Sequence, residues 1–230
     1  MQRARAGTEL AYTVSAQRRR AYLAVPASGA GPGVLVVHEA DGLGDFARDA
    51  SDRLAREGFV AFAPDWLGTG SATPADEARR LADALDPARA PDALDAAVDA
   101  LLGRDACQGA RVGALGFGWG GMLALDLATR SHRIAAVVAG WAAHPRRDPD
   151  VAKLEAACLA LFAERDAQAP PEAARAFEAR LRAAGRRAAV RIVPGVTAGF
   201  LDAGRHAVFD ASAAAQTWDV LLGFLRAELT

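Results

Sequence analysis

From residue 31 onward, short apolar runs alternate with longer amphipathic stretches, and that alternation leaves the chain few architectures to choose from. The runs cover residues 34–37, 59–63, 111–115, 134–139, 156–162 and 188–193. Continuous apolar runs of this length suit strands covered on both faces. Between them, residues 45–57, 119–130, 171–184 and 211–228 carry helical spacing. Residues 74–103 hold two further helical patterns, interrupted at Asp86-Pro87 and Ala90-Pro91. Gly58 comes after the first helix, where a left-handed terminal residue belongs. Ahead of this series, residues 9–15 and 20–26 alternate imperfectly and read as a hairpin of edge strands. Repeated strand–helix units specify the α/β class, a mostly parallel central sheet with helices on both faces. With 230 residues and neither repeat nor linker, one domain spanning 1–230 is expected.

Composition removes several function classes. Hydrophobic residues make up 52% of the chain and charged residues 24%, with a formal net charge of −1. No global basic field exists to draw in nucleic acid or anionic lipid. No uncharged apolar run approaches about 18 residues, so no membrane span is expected. The N-terminal stretch has no apolar segment of the signal-peptide kind. The two cysteines, Cys107 and Cys158, do not make a disulfide framework, and Cys158 reads as a small buried hydrophobe. A cytoplasmic protein, monomeric or homodimeric, is the expectation.

In open α/β sheets, ligands bind outside the carboxyl ends of the strands. The residues to inspect are therefore His38-Glu39, Asp65-Trp66, Gly116–Gly121, Gly140-Trp141, Glu164–Asp166 and Gly195–Phe200. The glycine-rich turn 116–121 fits two motifs. Gly116, Gly118 and Gly121 match the dinucleotide fingerprint letter for letter. That fingerprint belongs after the first strand of its unit, however, and needs an acid about 20 residues on. Here the turn comes after about the fifth strand, and the next strand ends in Ala139-Gly140-Trp141. The other motif is the nucleophile elbow, a strained strand-to-helix turn with a reactive residue at its centre. No cofactor is expected.

Four segments carry a family resemblance. Residues 34–70 (VLVVHEADGLGDFARDASDRLAREGFVAFAPDWLGTG), 111–125 (RVGALGFGWGGMLAL), 159–172 (LALFAERDAQAPPE) and 193–200 (VPGVTAGF), with Arg205 downstream, resemble the dienelactone hydrolase family in order and spacing. The resemblance runs from about residue 20 to the C-terminus and implies an α/β-hydrolase fold. It also implies a Cys or Ser at the elbow centre, an Asp after a later strand and a His in the last loop. In this chain the elbow centre is Gly118, the histidine position is Ala198, and the acid survives as Asp166. Glu39 matches the acid that contacts the family's nucleophile. The backbone amides of Ala40 and Trp119 match its oxyanion hole, and Arg205 matches an arginine that holds substrate carboxylate.

Glycine cannot attack a carbonyl, and alanine cannot accept its proton. Losing nucleophile or base from a triad costs about 10⁶ in turnover, leaving roughly 10³–10⁴ over water from the oxyanion hole and binding. Three functions stand as expectations. The chain binds a small molecule, lactone-like or carboxylate-bearing, or acts as a degenerate homologue. Alternatively it is an acid/base lyase, isomerase or cyclase using Glu39 and Asp166. Or it hydrolyses a small ester or lactone through another residue. Trp66, Trp141 and His38 are further candidates for contacting the ligand, each with core packing as the competing reading. Side chains alternate along a strand, so His38 and Glu39 point differently; Glu39 is expected to face the pocket and His38 to be packed and hydrogen-bonded. Of the other histidines, His132 and His144 read as lying away from the pocket, and His206 as a second imidazole that could swing toward it. His38, Glu39 and Asp166 lack metal-ligand spacing, so no metal is expected.

Overall fold

The computed structural model describes residues 6–68, 80, 89–140 and 149–230. Eight strands form one mostly parallel sheet in the order β1-β2-β4-β3-β5-β6-β7-β8. The contacts group the chain into two compact units, residues 1–113 and 114–230, and β5 (Cys107–Phe117) runs from the first into the second.

The first unit opens with an antiparallel hairpin, β1 (Thr8–Val14) and β2 (Gln17–Ala24), with Val14 opposite Gln17. The two-residue link, Ser15-Ala16, has φ of 45° and 67°. Positive φ at both central residues matches the right-handed twist of a tight hairpin. This second arm begins three residues before the predicted 20–26, because Gln17, Arg18 and Arg20 are exposed and carry no apolar signal. β2 pairs antiparallel with β4 (Val60–Pro64), which pairs parallel with β3 (Gly31–Val37).

α1 (Asp45–Arg56) packs against β2, β3 and β4. Its buried face is Ala47, Ala50, Ser51, Asp52, Leu54 and Ala55. Asp52 is an unusual member, and its partners explain it. Its Oδ1 accepts from the Tyr22 hydroxyl at 2.6 Å and from the Gly7 amide at 3.1 Å, while Gly7 also donates to Tyr22 Oη at 2.8 Å. A carboxylate is tolerated in a core when its lone pairs are occupied in this way. α2 (Arg89–Leu102) packs against β1, β3 and β4. It runs through Ala90-Pro91, which the sequence reading takes as a break. Pro91 lies in the first turn, where a missing amide hydrogen forfeits no intrahelical bond. Asp86-Pro87 and most of the preceding pattern lie outside the described residues.

The second unit takes up the end of β5 and continues with α3 (Trp119–Arg130), β6 (Ile134–Gly140), β7 (Ala157–Ala163), α4 (Pro171–Ala183), β8 (Ala188–Val193) and α5 (Ala211–Leu229). β6, β7 and β8 pair in parallel. β7 is buried along its whole length, as its unbroken apolar sequence requires, and burial pushes the Cys158 thiol up to about 12. α3 packs on β6, α4 on β7 and β8, and α5 on β6 and β7. Asp210 caps α5 by accepting from the Ala213 amide at 2.9 Å. β5 is longer than the predicted 111–115, because residues 107–111 are mostly exposed and lack the apolar run. Among the described residues no helix is long and apolar enough to cross a membrane.

These contacts set two stability outcomes. Tyr22→Phe keeps the ring but removes a donor from buried Asp52, and should cost about 1–3 kcal/mol in urea unfolding. Glycine-to-alanine substitution should split by position. At Gly116 a Cβ would sit 2.2 Å from the Gly120 carbonyl oxygen, which is backbone and cannot swing aside, while at Gly223 in α5 nothing lies within 4 Å. Gly116→Ala should destabilise by at least about 1–3 kcal/mol. Gly223→Ala should stabilise by roughly 0.5–1 kcal/mol.

Candidate active site

In the first unit, β3 and β4 are parallel neighbours, so the segments leaving their carboxyl ends lie side by side. After β3 come His38, Glu39 and Ala40; after β4 come Asp65 and Trp66. His38 is buried, with 3% of its surface exposed, and its ring stacks on Trp66 at 5.2 Å between centroids and 20° between planes. Trp66 Nε1 donates to the His38 carbonyl at 3.1 Å, and Arg19 Nη1 donates to the Trp66 carbonyl at 3.3 Å. His38 Nδ1 lies 2.6 Å from the Glu39 carbonyl oxygen. A carbonyl can only accept, so Nδ1 carries the proton. Nε2 is then an acceptor, and among the described residues no donor reaches it; Asp65 Oδ1 lies 3.8 Å away. Burial pushes the His38 pKa down to about 4, against the smaller upward pull of its hydrogen bond and of Asp65. The imidazole is therefore neutral near pH 7.

His38 turns into the core, Glu39 and Ala40 are half-buried, and Asp41 is exposed. Trp66 is 3% exposed and its ring lies against His38. Asp65 is buried and its Oδ1 accepts from the Gly68 amide at 2.8 Å. Tyr12 also belongs to this region: among the described residues its buried hydroxyl has no partner, burial raises its pKa, and Arg19 and Asp65 are close enough to perturb it. Nothing in the sequence singles out Tyr12, which sits at an ordinary inward position of an edge strand.

In the second unit the turn between β5 and α3 has the elbow geometry. Gly118 adopts φ 53° and ψ −123°, outside the regions open to ordinary L-residues. Its amide donates to the Gly140 carbonyl at 2.9 Å, and its own carbonyl accepts from the Met122 amide at 3.0 Å. Neighbouring glycines let the backbones close on one another. A Cβ on Gly121 would meet the Gly140 oxygen at 2.7 Å, and one on Gly140 would meet the Phe117 ring at 2.2 Å. Trp119 is the first residue of α3, so its amide belongs to the helix N-terminus. Trp141 and His144 lie outside the described residues.

The loops after β7 and β8 are laced together. Arg165 donates its amide to the Val196 carbonyl at 2.9 Å, and Glu164 Oε2 accepts from the Gly195 amide at 2.7 Å. Asp166 follows Arg165 directly, and Ala198 lies two residues past Val196. Asp166 is 7% exposed, and its Oδ1 accepts from the Gln168 amide at 2.8 Å. Ala198 is half-buried. Arg205 folds over Gly199, where a Cβ would lie 3.0 Å from Arg205 Cδ, and its Nε is 3.5 Å from Asp202 Oδ2. Arg205 is nonetheless exposed, as are His206 and His132. Sequence reading gives Glu164 no role of its own, since an acid tying down a loop amide has no motif. Among the described residues, no group of three or more His, Cys, Asp or Glu side chains is placed to hold a metal ion.

The profile of the dienelactone hydrolase family matches residues 19–229. Protein usf of Aquifex pyrophilus is 31% identical over 219 residues, covering 92% of this chain and 94% of that protein. The "Putative carboxymethylenebutenolidase" of Aquifex aeolicus is 28% identical over 217 residues, covering 91% and 94%. Among solved structures, a dienelactone hydrolase-like promiscuous phosphotriesterase from metagenomic libraries superposes with a TM-score of 0.85 at 26% identity, covering 97% of this chain and 98% of that one. With an elbow, an acid loop and a final loop in the family's order on an eight-stranded α/β-hydrolase sheet, this chain belongs to the dienelactone hydrolase family.

Proposed function

We propose that this chain is a non-hydrolytic member of its family, which binds a small lactone-like or carboxylate-bearing molecule and does not open it through an acyl-enzyme. The observation that carries this reading is the backbone of Gly118. At φ 53° and ψ −123°, heading α3, it occupies the conformation in which the elbow presents its nucleophile, and it has no side chain to present. That backbone conformation supports reading position 118 as the elbow centre. Ala198, on the loop laced to that of Asp166, offers a methyl group where the proton acceptor belongs. Asp166 remains, but an orienting carboxylate has no imidazole to orient.

What supports binding is the part of the site built from backbone. The amides at the start of α3 depend on the turn and the helix, and both persist without a reactive side chain. The carboxylate or carbonyl oxygen of a small ligand is the chemistry such amides recognise. Names of relatives such as carboxymethylenebutenolidase make small unsaturated lactones the first ligands to try.

The test is kinetic. With p-nitrophenyl acetate and protein in stoichiometric excess, no burst of nitrophenolate and no acyl adduct by mass spectrometry are expected. Catalytic groups of a triad act as a unit. Gly118→Cys alone and Ala198→His alone should therefore stay near background, while the double variant should gain at least about 10³-fold. Wild-type turnover with a covalent adduct would overturn the reading. Turnover without an adduct that is lost in Glu39→Gln would replace it with acid/base chemistry.

A further inference from the structure

The buried imidazole after β3 has a role that neither the triad nor the core requires. We propose that His38 is the positioning residue of the Glu39–Ala40 peptide, holding the Ala40 N–H toward the carbonyl or carboxylate oxygen of a bound ligand. This role rests on the proposal that the chain binds a small molecule.

Peptide geometry supplies the link. The carbonyl of Glu39 and the N–H of Ala40 belong to one planar unit, and in a trans peptide they point in opposite directions; among the described residues every peptide bond is trans. Whatever holds the Glu39 oxygen therefore aims the Ala40 hydrogen. Two donors hold that oxygen: His38 Nδ1 at 2.6 Å and the Gly42 amide at 3.2 Å. The shorter comes from a ring that cannot rotate away. Its face is stacked on Trp66, and the Trp66 indole also anchors the His38 carbonyl. With Glu39 O drawn onto the buried ring, the Ala40 N–H is turned away from it.

The unpartnered nitrogen points the same way. A histidine retained only for packing would satisfy both nitrogens or be replaced by an apolar ring without loss. Here, among the described residues, Nε2 is buried with no donor, and Nδ1 forms a bond. Besides its stack on Trp66, the ring donates to the peptide next to it. Burial keeps the imidazole neutral, and its single proton resides on the nitrogen that faces the carbonyl.

Two substitutions separate this role from packing. His38→Asn places an amide N–H close to where Nδ1–H lies, whereas His38→Phe preserves the ring and its stack on Trp66 but donates nothing. In ¹⁵N-labelled full-length protein, long-range imidazole correlations should show His38 protonated on Nδ1 and bare on Nε2. The residual dipolar coupling of the Ala40 N–H reports its orientation. It should be retained in His38→Asn and changed in His38→Phe, while couplings in β3 and β4 stay as in the wild type. Titrated with butenolide and its ring-opened carboxylate, His38→Phe should bind about tenfold more weakly, and His38→Asn within about threefold of wild type. An Nε2–H tautomer would overturn the inference, as would an Ala40 coupling that is the same in His38→Phe. If the wild type binds and the Phe variant binds equally well, the positioning role fails and the binding reading stands. If the wild type binds neither probe, the binding reading fails for this class, and the tautomer and coupling still decide the role of His38.

Discussion

Between Phe117 and Trp119 the backbone must leave a buried strand and enter a helix within a single residue. The geometry that permits this, φ 53° and ψ −123° at Gly118, sets the packing of the elements around it. The Gly118 amide ties the turn to the end of β6 through the Gly140 carbonyl. Contacts at Gly116, Gly121 and Gly140 are too close for a Cβ, which brings β5, α3 and β6 within backbone reach of one another. For most residues such a conformation stores about 1–3 kcal/mol, which the surrounding packing must offset. Glycine adopts it without the Cβ penalty. The scaffold of the elbow and its chemistry are thus separable: the first depends on backbone contacts and the second on one side chain.

That separability means that the fold does not depend on the reactive side chains. The helix N-terminus, the Gly118–Gly140 bond and the lacing of the loops after β7 and β8 are made by main-chain groups and by Glu164. None of them uses the nucleophile or the base. Fold similarity to a family of hydrolases consequently says little about hydrolysis. The information lies in the residues at Gly118 and Ala198.

Legibility in the sequence divides along the same line. Strands buried on both faces, such as β7, announce themselves as continuous apolar runs. The misreadings fall where burial does not constrain the residue. The second hairpin strand begins under Gln17 and Arg18, and its turn is Ser15-Ala16, without the Asn-Gly or Asp-Gly signal that marks such turns. β5 starts in exposed residues. Pro91 resembles a helix breaker, yet only its position in the first turn decides its effect. In the site, sequence alternation separates His38 from Glu39. The tryptophan stack, the orphan Nε2 and the hydroxyl of Tyr12 come from residues far apart in the chain, and no spacing rule connects them.

The histidine also shows how a buried polar group can be retained at a cost. A neutral imidazole in the core gives up solvation at both nitrogens and recovers one hydrogen bond, to Glu39 O. Its pKa in the folded chain lies near 4, below the ordinary value of 6.5. Between those two values the unfolded chain binds the proton that the folded chain refuses. The stability tied to the neutral ring is full above about pH 6.5 and is lost progressively as pH falls toward 4. Folding is thus made acid-sensitive in return for a ring that stays neutral, with its proton on Nδ1, wherever the protein is folded above that range. A lysine or arginine in its place would carry a charge into the core at a far larger desolvation cost, and an apolar ring would take the 2.6 Å donor from the Glu39 carbonyl. Among side chains, neutral histidine combines a flat face for Trp66 with a single directed donor for the peptide beside it.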